Sequence, residues 1–337
     1  MVPTLVSLIV LGLLVIVHEA GHFIVARWAG VRILRFSVGF GPRLLTWTRG
    51  HTEYAVSAIP LGGYVKMAGE QRAEATSEPW DYIAKPISTR AAIIFAGPFV
   101  NYVVALLCLW VVFIVGYPEL LPVVGNVMEG MPAQTAGLQT GDHVRRVEDR
   151  PIVTWDEMTR VIHTSPDRPL QFQVERGGTL KTVRVTPQPK SVIDSFGHPR
   201  TIGLIGIAPS GAFASHRVGP IEAVGRALRQ QHEWTTQTLM AFWSMVTGRM
   251  SVRDSVTGPF GIVYLTSEAV RMGFAPLLFL VSLFSLSLAI FNVFPIPILD
   301  GGHLFFLAIE KLRGRPVSVT VQERAAQVSF VLLMAFI

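Results

Sequence analysis

A long apolar stretch that ends in two histidines constrains this chain more than any other feature. Residues 4–17 carry no charged side chain, and His18, Glu19 and His22 follow directly in the same run. Such a segment is typical of a helix that crosses a membrane, where ionisable groups are costly and therefore functional by default. The chain is 50% hydrophobic and only 15% charged, which favours a protein with several membrane spans over a soluble enzyme.

His18 and His22 have the spacing that lets two side chains bind one metal ion. On a helix, residues i and i+4 share a face, so two neutral imidazoles can coordinate the same ion. Glu19 lies beside them, and in this H-E-x-x-H pattern the glutamate commonly acts as a general base toward water activated by the metal. A hydrogen-bonded His/Glu cluster near a helix end is the alternative that the pattern leaves open.

The distribution of charge predicts how the first apolar segment is oriented. Five arginines follow it closely, so by the positive-inside rule this end faces the cytoplasm and the metal lies near that side. The net charge of +6 is spread beside apolar segments, and we therefore expect the lipid bilayer and no nucleic acid as a partner. No basic signal-peptide region precedes the first span, which we expect to be retained. The single cysteine, Cys108, excludes a cysteine-based zinc site.

A later apolar segment supplies a candidate for a third ligand. This third span is uncharged until Asp300, and it runs back toward the side on which the two histidines lie. Because catalytic zinc sites usually keep three protein ligands and one open position, we predict that His18, His22 and Asp300 bind Zn²⁺. Pro295 and Pro297 precede Asp300 and should interrupt the helix, leaving backbone groups free to meet a substrate. We interpret the nearby His303 as a neighbour of the site, since a fourth ligand would close the open position.

Composition divides the chain into alternating membrane and polar segments. The predicted fold is a polytopic α-helical membrane protein with about four transmembrane helices, a membrane-associated β-hairpin region and an inserted α+β domain. The segments are a first transmembrane helix at 1–28, a cytoplasmic-side loop with the hairpin at 29–88, a second transmembrane helix at 89–117, the α+β domain at 121–209, interfacial amphipathic helices at 216–272, a third transmembrane helix at 275–303, a cytoplasmic loop at 304–323 and the start of a fourth transmembrane helix at 324–337. For 216–272, a core helix of the soluble domain is the alternative.

The loop after the first span predicts short strands at 33–40, 54–59 and 64–67, separated by glycines. Strand edges this close to the site could pair with an extended substrate, and an ordinary hairpin is an equally good interpretation. In the soluble region, residues 130–142 (GMPAQTAGLQTGD) resemble the signature of bacterial PDZ domains. That resemblance implies a module that binds peptide termini, and a β-rich spacer that binds nothing is the alternative.

Taken together, these motifs resemble the site-2 protease family of intramembrane zinc metalloproteases, in particular its bacterial, PDZ-containing, RseP-like branch. The resemblance rests on the H-E-x-G-H helix, the segment 60–67 (PLGGYVKM), Ala96-Gly97-Pro98, the PDZ signature and N-x-F-P-x-P-x-L-D-G-G, and it spans nearly the whole chain. It implies that His18, His22 and Asp300 are zinc ligands and that Glu19 is the catalytic base. It also implies that substrate is bound by the following residues: Asn292, Pro295, Pro297, Tyr64, Val65, Lys66 and Met67.

The family further implies cleavage within or beside the transmembrane helix of single-span membrane proteins, such as anti-sigma factors or remnant signal peptides. The expected location is the bacterial inner membrane, with the active site near the cytoplasmic side and the PDZ domain outside the cytoplasm. Two other classes of function fit the residues less well: a non-catalytic membrane adapter that captures peptides through its PDZ domain, and a membrane-anchored protease of soluble peptides. A non-catalytic membrane adapter has no need of Glu19, and a protease of soluble peptides usually takes its third ligand from a soluble helix.

Overall fold

A computed structural model describes residues 2–71, 76, 78–193, 199–249 and 259–336. These residues divide into two compact units. The first holds the described residues up to Val112, those of Ala223–Thr238 and those from 259 onward, and the second holds Phe113–Glu222 with the described residues from Leu239. The α-helices of the described residues are α1 Val2–Trp28, α2 Ile87–Val115, α3 Pro132–Thr135, α4 Trp155–His163, α5 Pro220–Val246, α6 Pro259–Met272, α7 Phe274–Val293, α8 Asp300–Arg313 and α9 Val319–Phe336.

Three helices of the described chain are long and apolar enough to cross a membrane. They comprise Thr4–Trp28 of α1, the whole of α2 and the whole of α7. A helix satisfies every backbone polar group internally, which an uncharged segment needs in lipid. These helices agree with three of the predicted spans, whereas α9 does not meet the same criteria and a fourth span stays a prediction.

Small and hydroxyl side chains join the membrane helices of the first unit. Ser282 and Ser285 of α7 donate hydrogen bonds of 2.8 Å to the carbonyl oxygens of Ala105 and Asn101 in α2. Small residues at such a contact let two backbones approach closely, because lipid supplies no hydrophobic force to bring helices together. The close contact fixes which face of α2 points toward α1 and the site.

The predicted hairpin region consists of two long strands, β1 Ile33–Arg49 and β2 Thr52–Met67. Residues 35–38 of β1 pair with two separate parts of β2, 53–56 on one side and 63–66 on the other. Each of the two strands therefore reverses direction within its length. Residues 43–49 pair with 52–57 and form one outer row, and 63–67 form the other. The reversals use glycines with φ angles that favour glycine, +85° at Gly41 and +119° at Gly62. The segment predicted as three short strands is therefore one folded sheet.

The third predicted span, 275–303, is two helices separated by a short non-helical segment. Helix α7 ends at Val293, Phe294 is extended, and α8 begins at Asp300. Pro295 and Pro297 cause this break, because proline lacks an amide hydrogen and disfavours helix in the residue before it. Asp300 thus lies in the first turn of a new helix.

Most of the segment predicted as a cytoplasmic loop, 304–323, is helical. Helix α8 continues to Arg313, where Gly314 ends it in the left-handed conformation, and α9 begins at Val319. The cytoplasmic location of this segment stays a prediction. Added Cβ atoms at Gly301 and Gly302 would lie 2.2 and 2.4 Å from backbone oxygens of the preceding turn, so the glycines let α8 pack directly on that turn.

The second unit contains the predicted small α+β domain. Its strands are β3 Tyr117–Leu120, β4 Val124–Val127, β5 His143–Val147, β6 Arg150–Pro151, β7 Leu170–Arg176, β8 Thr179–Val185, β9 Gln188–Ile193, β10 Pro199–Leu204, β11 Ile207–Pro209 and β12 Phe213–His216. Four of them form an antiparallel sheet in the order β6-β5-β7-β8. Pairing of β3 with β12 extends this fold beyond the predicted limits of 121–209.

The core of this domain lies between the sheet and α4. Phe172, Val144 and Met158 are completely buried there. Thr154 begins α4 with a capping box, in which its hydroxyl accepts from the Glu157 amide while the Glu157 carboxylate accepts from the Thr154 amide. The capping box therefore defines where α4 begins.

Candidate metal centre

The two histidines of α1 lie on one buried face of the helix. Each is only 8% exposed, and their Nε2 atoms are 3.1 Å apart. Two unprotonated ring nitrogens at this separation repel one another unless a proton or a cation lies between them. The i, i+4 spacing on α1 therefore by itself brings two ring nitrogens close enough to bind one cation.

Asp300 completes the cluster from the first turn of α8. Its Oδ2 atom lies 2.9 Å from His18 Nε2 and 3.5 Å from His22 Nε2. Ligands bound at 2.0–2.2 Å in a tetrahedral zinc site are about 3.3 Å apart, a value that the three observed distances bracket. Asp300 Oδ2 is also buried with no aligned hydrogen-bond donor among the described residues. The three side chains therefore fit a zinc ion, and they are the group of potential metal ligands found in the described chain.

Glycines allow α2 to pass close to this cluster. An added Cβ at Gly97 would lie 2.4 Å from His22 Nε2 and 2.8 Å from His18 Nε2, in the space beside both proposed ligand atoms. On the facing helix, a Cβ at Gly21 would lie 2.5 Å from the Ala96 carbonyl oxygen. The glycine inside the H-E-x-G-H motif thus serves helix contact, and Gly97 keeps the metal position open.

Helix α2 also contacts the far side of each imidazole. His22 Nδ1 lies 2.8 Å from the Ile93 carbonyl oxygen, a distance that suits an Nδ1–H donor and leaves Nε2 free to bind metal. His18 Nδ1 lies 3.5 Å from the side-chain amide of Asn101. Both rings are therefore oriented from the same helix.

Glu19 is held by the neighbouring sheet. Its carboxylate accepts a hydrogen bond from the Val65 amide and interacts electrostatically with His18, His22 and Asp300. An added Cβ at Gly63 would lie 3.4 Å from Glu19 Cγ, so the outer row 63–67 passes directly over this side chain. Glu19 is thus close to the three potential ligands and does not belong to their group.

Comparison with known proteins agrees with this chemistry. The model of peptidase family M50 matches residues 6–336. The chain belongs to peptidase family M50. It is accordingly a zinc metalloprotease, and the resemblance to the site-2 protease family is confirmed. Its sequence is 37% identical to a Rhizobium meliloti protein named provisionally as a zinc metalloprotease, over 99% of this chain and 93% of that protein.

Two further similarities concern other M50 relatives and a solved structure. This M50 peptidase is 30% identical to the regulator of sigma-E protease RseP of Salmonella typhimurium, over 97% of this chain and 94% of that one. A PDZ domain of an SdrC-like protein from Listeria monocytogenes aligns with 28% of this chain and 88% of its own, at 20% identity and a TM-score of 0.21. A TM-score this low does not establish a shared fold, and the PDZ character of 121–209 stays a prediction.

The predicted substrate-binding residues occupy two places around the M50 site. In the outer row of the sheet, Val65 and Met67 are 8% and 7% exposed and belong to a core cluster, so their side chains are not available to a substrate. Tyr64 stacks on Phe40 at 6.3 Å between ring centroids. The Met67 amide donates to Glu70, as the Val65 amide does to Glu19, so a substrate strand here would use other backbone groups of the row.

The remaining predicted residues lie in the break between α7 and α8. Asn292 is half-buried in the last turn of α7, Pro295 is exposed and Pro297 is half-buried. His303 is exposed and does not belong to the cluster of potential ligands, in agreement with its interpretation as a neighbour. Gly97 was not predicted as a site residue, although its position in Ala96-Gly97-Pro98, four residues before Asn101, was a usable signal.

Proposed function

We propose that this M50 peptidase hydrolyses peptide bonds within or beside the transmembrane segment of single-span membrane proteins. The proposal rests on one observation: His18 and His22 are buried in a helix that is apolar and long enough to span a membrane, and the half-buried Asp300 completes their cluster. A substrate bond that reaches this cluster has to lie at the depth of the membrane helices. Anti-sigma factors and remnant signal peptides are membrane-anchored chains of this kind.

The chain's own residues supply the steps of peptide hydrolysis. Zinc bound by His18, His22 and Asp300 would act as a Lewis acid that polarises the scissile carbonyl and makes water more acidic. Glu19 takes a proton from the attacking water and delivers it to the leaving amide nitrogen. The Val65 amide holds the Glu19 carboxylate in place through both transfers.

A substrate helix has to unwind before it can be cleaved, because its amides are shielded by their own hydrogen bonds. Two non-helical segments border the site and can hold an extended chain. One is the break that contains Pro295 and Pro297, and the other is the outer row 63–67 of the sheet. Asn292 offers a polar side chain beside the first of these segments.

The distribution of charge supports an orientation for the proposed enzyme. Arginines that follow the first span place the H-E-x-x-H end of α1 near the cytoplasmic side of the bacterial inner membrane. The domain at 121–209 follows a second span and would then lie outside the cytoplasm. There it would bind peptide termini of the substrate or of a partner.

Cleavage of a membrane substrate by the purified full-length protein tests this proposal. A single-span substrate and a soluble peptide with the same sequence around the bond are offered in parallel in lipid nanodiscs, and products are mapped by mass spectrometry. We expect the membrane substrate to be cut in or beside its span, and Glu19→Gln to lower the rate by at least ~10²-fold while zinc is retained. Cleavage of the soluble peptide alone, or a normal rate in Glu19→Gln, would contradict the proposal.

A further inference from the structure

Asn101 of α2 is completely buried, although its amide is strongly polar. Its Nδ2 atom lies 3.5 Å from His18 Nδ1, and its Oδ1 atom has no hydrogen-bond partner among the described residues. A buried amide oxygen without a donor costs on the order of 1–3 kcal/mol. Nearby structure therefore has to supply that donor, and within the described part of the chain the ring nitrogen in contact with this amide is Nδ1 of His18.

The proposed metal site determines which proton is available. If His18 Nε2 is a ligand, its lone pair is used, so the neutral imidazole carries its hydrogen on Nδ1. An Nδ1–H facing the Asn101 NH₂ group would place two donors opposite each other. A half turn of the amide removes this conflict and gives Oδ1 its donor in the same step.

His22 already shows the equivalent arrangement with a different acceptor. Its Nδ1 lies 2.8 Å from the Ile93 carbonyl oxygen, in the same helix α2. Ile93 and Asn101 are eight residues apart, about two turns of α2, and the two histidines are four residues apart, about one turn of α1. One face of α2 can therefore place an acceptor beside each histidine, Ile93 beside His22 and Asn101 beside His18. The Asn101 backbone is itself fixed by Ser285, whose hydroxyl donates to its carbonyl oxygen at 2.8 Å.

We infer that Asn101 is a positioning residue that accepts the Nδ1–H of His18 and so selects the tautomer and ring orientation in which Nε2 binds zinc. Such outer hydrogen bonds typically change metal affinity by about 10- to 100-fold. The inference rests on the proposed function, because it assumes that His18 is a zinc ligand. It adds a residue to the site that the H-E-x-x-H and Asp300 motifs do not contain.

Zinc affinity of the full-length protein in detergent tests the inference, measured by competition with a chelator of known affinity. Asn101→Leu keeps the number and branching of the side-chain heavy atoms but has no acceptor, and we expect it to bind zinc about 10- to 100-fold more weakly. Asn101→Asp restores an acceptor and should bind within about threefold of wild type. Cys108→Ala, a small change in the same helix about two turns beyond Asn101, is the control for α2 and should leave zinc affinity unchanged.

Nitrogen NMR of histidine-labelled, zinc-loaded protein gives a second readout. The His18 Nδ1–H signal, assigned by its loss in His18→Ala, should persist in Asn101→Asp and exchange rapidly in Asn101→Leu. Normal affinity in Asn101→Leu, or equally weak binding in the Leu and Asp variants, overturns the inference. If Asn101→Leu does not fold, Asn101→Asp still decides, since a folded Asp variant with weak zinc binding overturns it. Zinc binding that His18→Ala does not weaken would instead refute the metal site itself.

Discussion

A single methyl group added at Gly97 should disable the proposed metal centre without unfolding the protein. In Gly97→Ala, the new Cβ would lie 2.4 Å from His22 Nε2 and 2.8 Å from His18 Nε2. Nonbonded heavy atoms approach to about 3.5 Å, so one of the groups has to move by about 1 Å. Metal sites tolerate changes of only about 0.2 Å in ligand distances.

The expected loss follows from that displacement. We expect zinc affinity to fall by at least about 10- to 100-fold, the range seen when groups that orient ligands are removed. A displacement of about 1 Å at a catalytic site can by itself lower the rate by about 10²-fold. Alanine is favoured over glycine in a helix interior by roughly 0.5–1 kcal/mol, so helix α2 itself is not weakened by the change.

Zinc content after dialysis and the rate of substrate cleavage measure this effect, and thermal unfolding of the metal-free protein checks the fold. Gly225→Ala in α5 is the matched control, because an added Cβ there meets nothing within 4 Å. It should retain wild-type zinc binding and activity. Wild-type zinc affinity and cleavage in Gly97→Ala would refute the argument that Gly97 keeps the ligand space open.

Two other predictions concern single side chains. Asp300→Asn removes the negative charge of a proposed ligand and should lower zinc retention against a chelator by at least about tenfold. His303→Asn, on the exposed side of α8, should retain zinc as wild type does. Equal zinc retention in the two variants would exclude Asp300 as a ligand. Arg176→Leu leaves the fully buried Asp142 carboxylate unpaired and should destabilise the second unit by about 3–5 kcal/mol, seen as faster hydrogen exchange of β5 and β7 amides. Arg145→Leu breaks an exposed ion pair with Glu175 and should lower the free energy of unfolding by at most about 1 kcal/mol. An equal loss of stability in the two variants would contradict the argument that burial makes the Arg176–Asp142 pair the stronger one.

Much of the architecture could be predicted because its signals are local. The spans of α1, α2 and α7 follow from uncharged apolar runs, and helix α4 follows from its periodic pattern and its Thr154 cap. Helix α8, most of which lies in the segment predicted as a loop at 304–323, was not predicted; Gly301 and Gly302 in its first turn are poor helix formers in isolation. Their role is to contact the turn before them, and that turn exists only in the folded chain.

The sequence by itself determined that His18 and His22 share one face of an apolar helix, because an i, i+4 spacing acts within a single turn. It also indicated Asp300, since the direction of a third apolar segment returns the chain to the same side of a membrane. Only the tertiary structure decided that Asp300 reaches the histidines from the start of a new helix, and that Gly97 and Asn101 face them. These contacts depend on which sides of separate helices pack together, a choice made by many small side chains at once and encoded in no single motif.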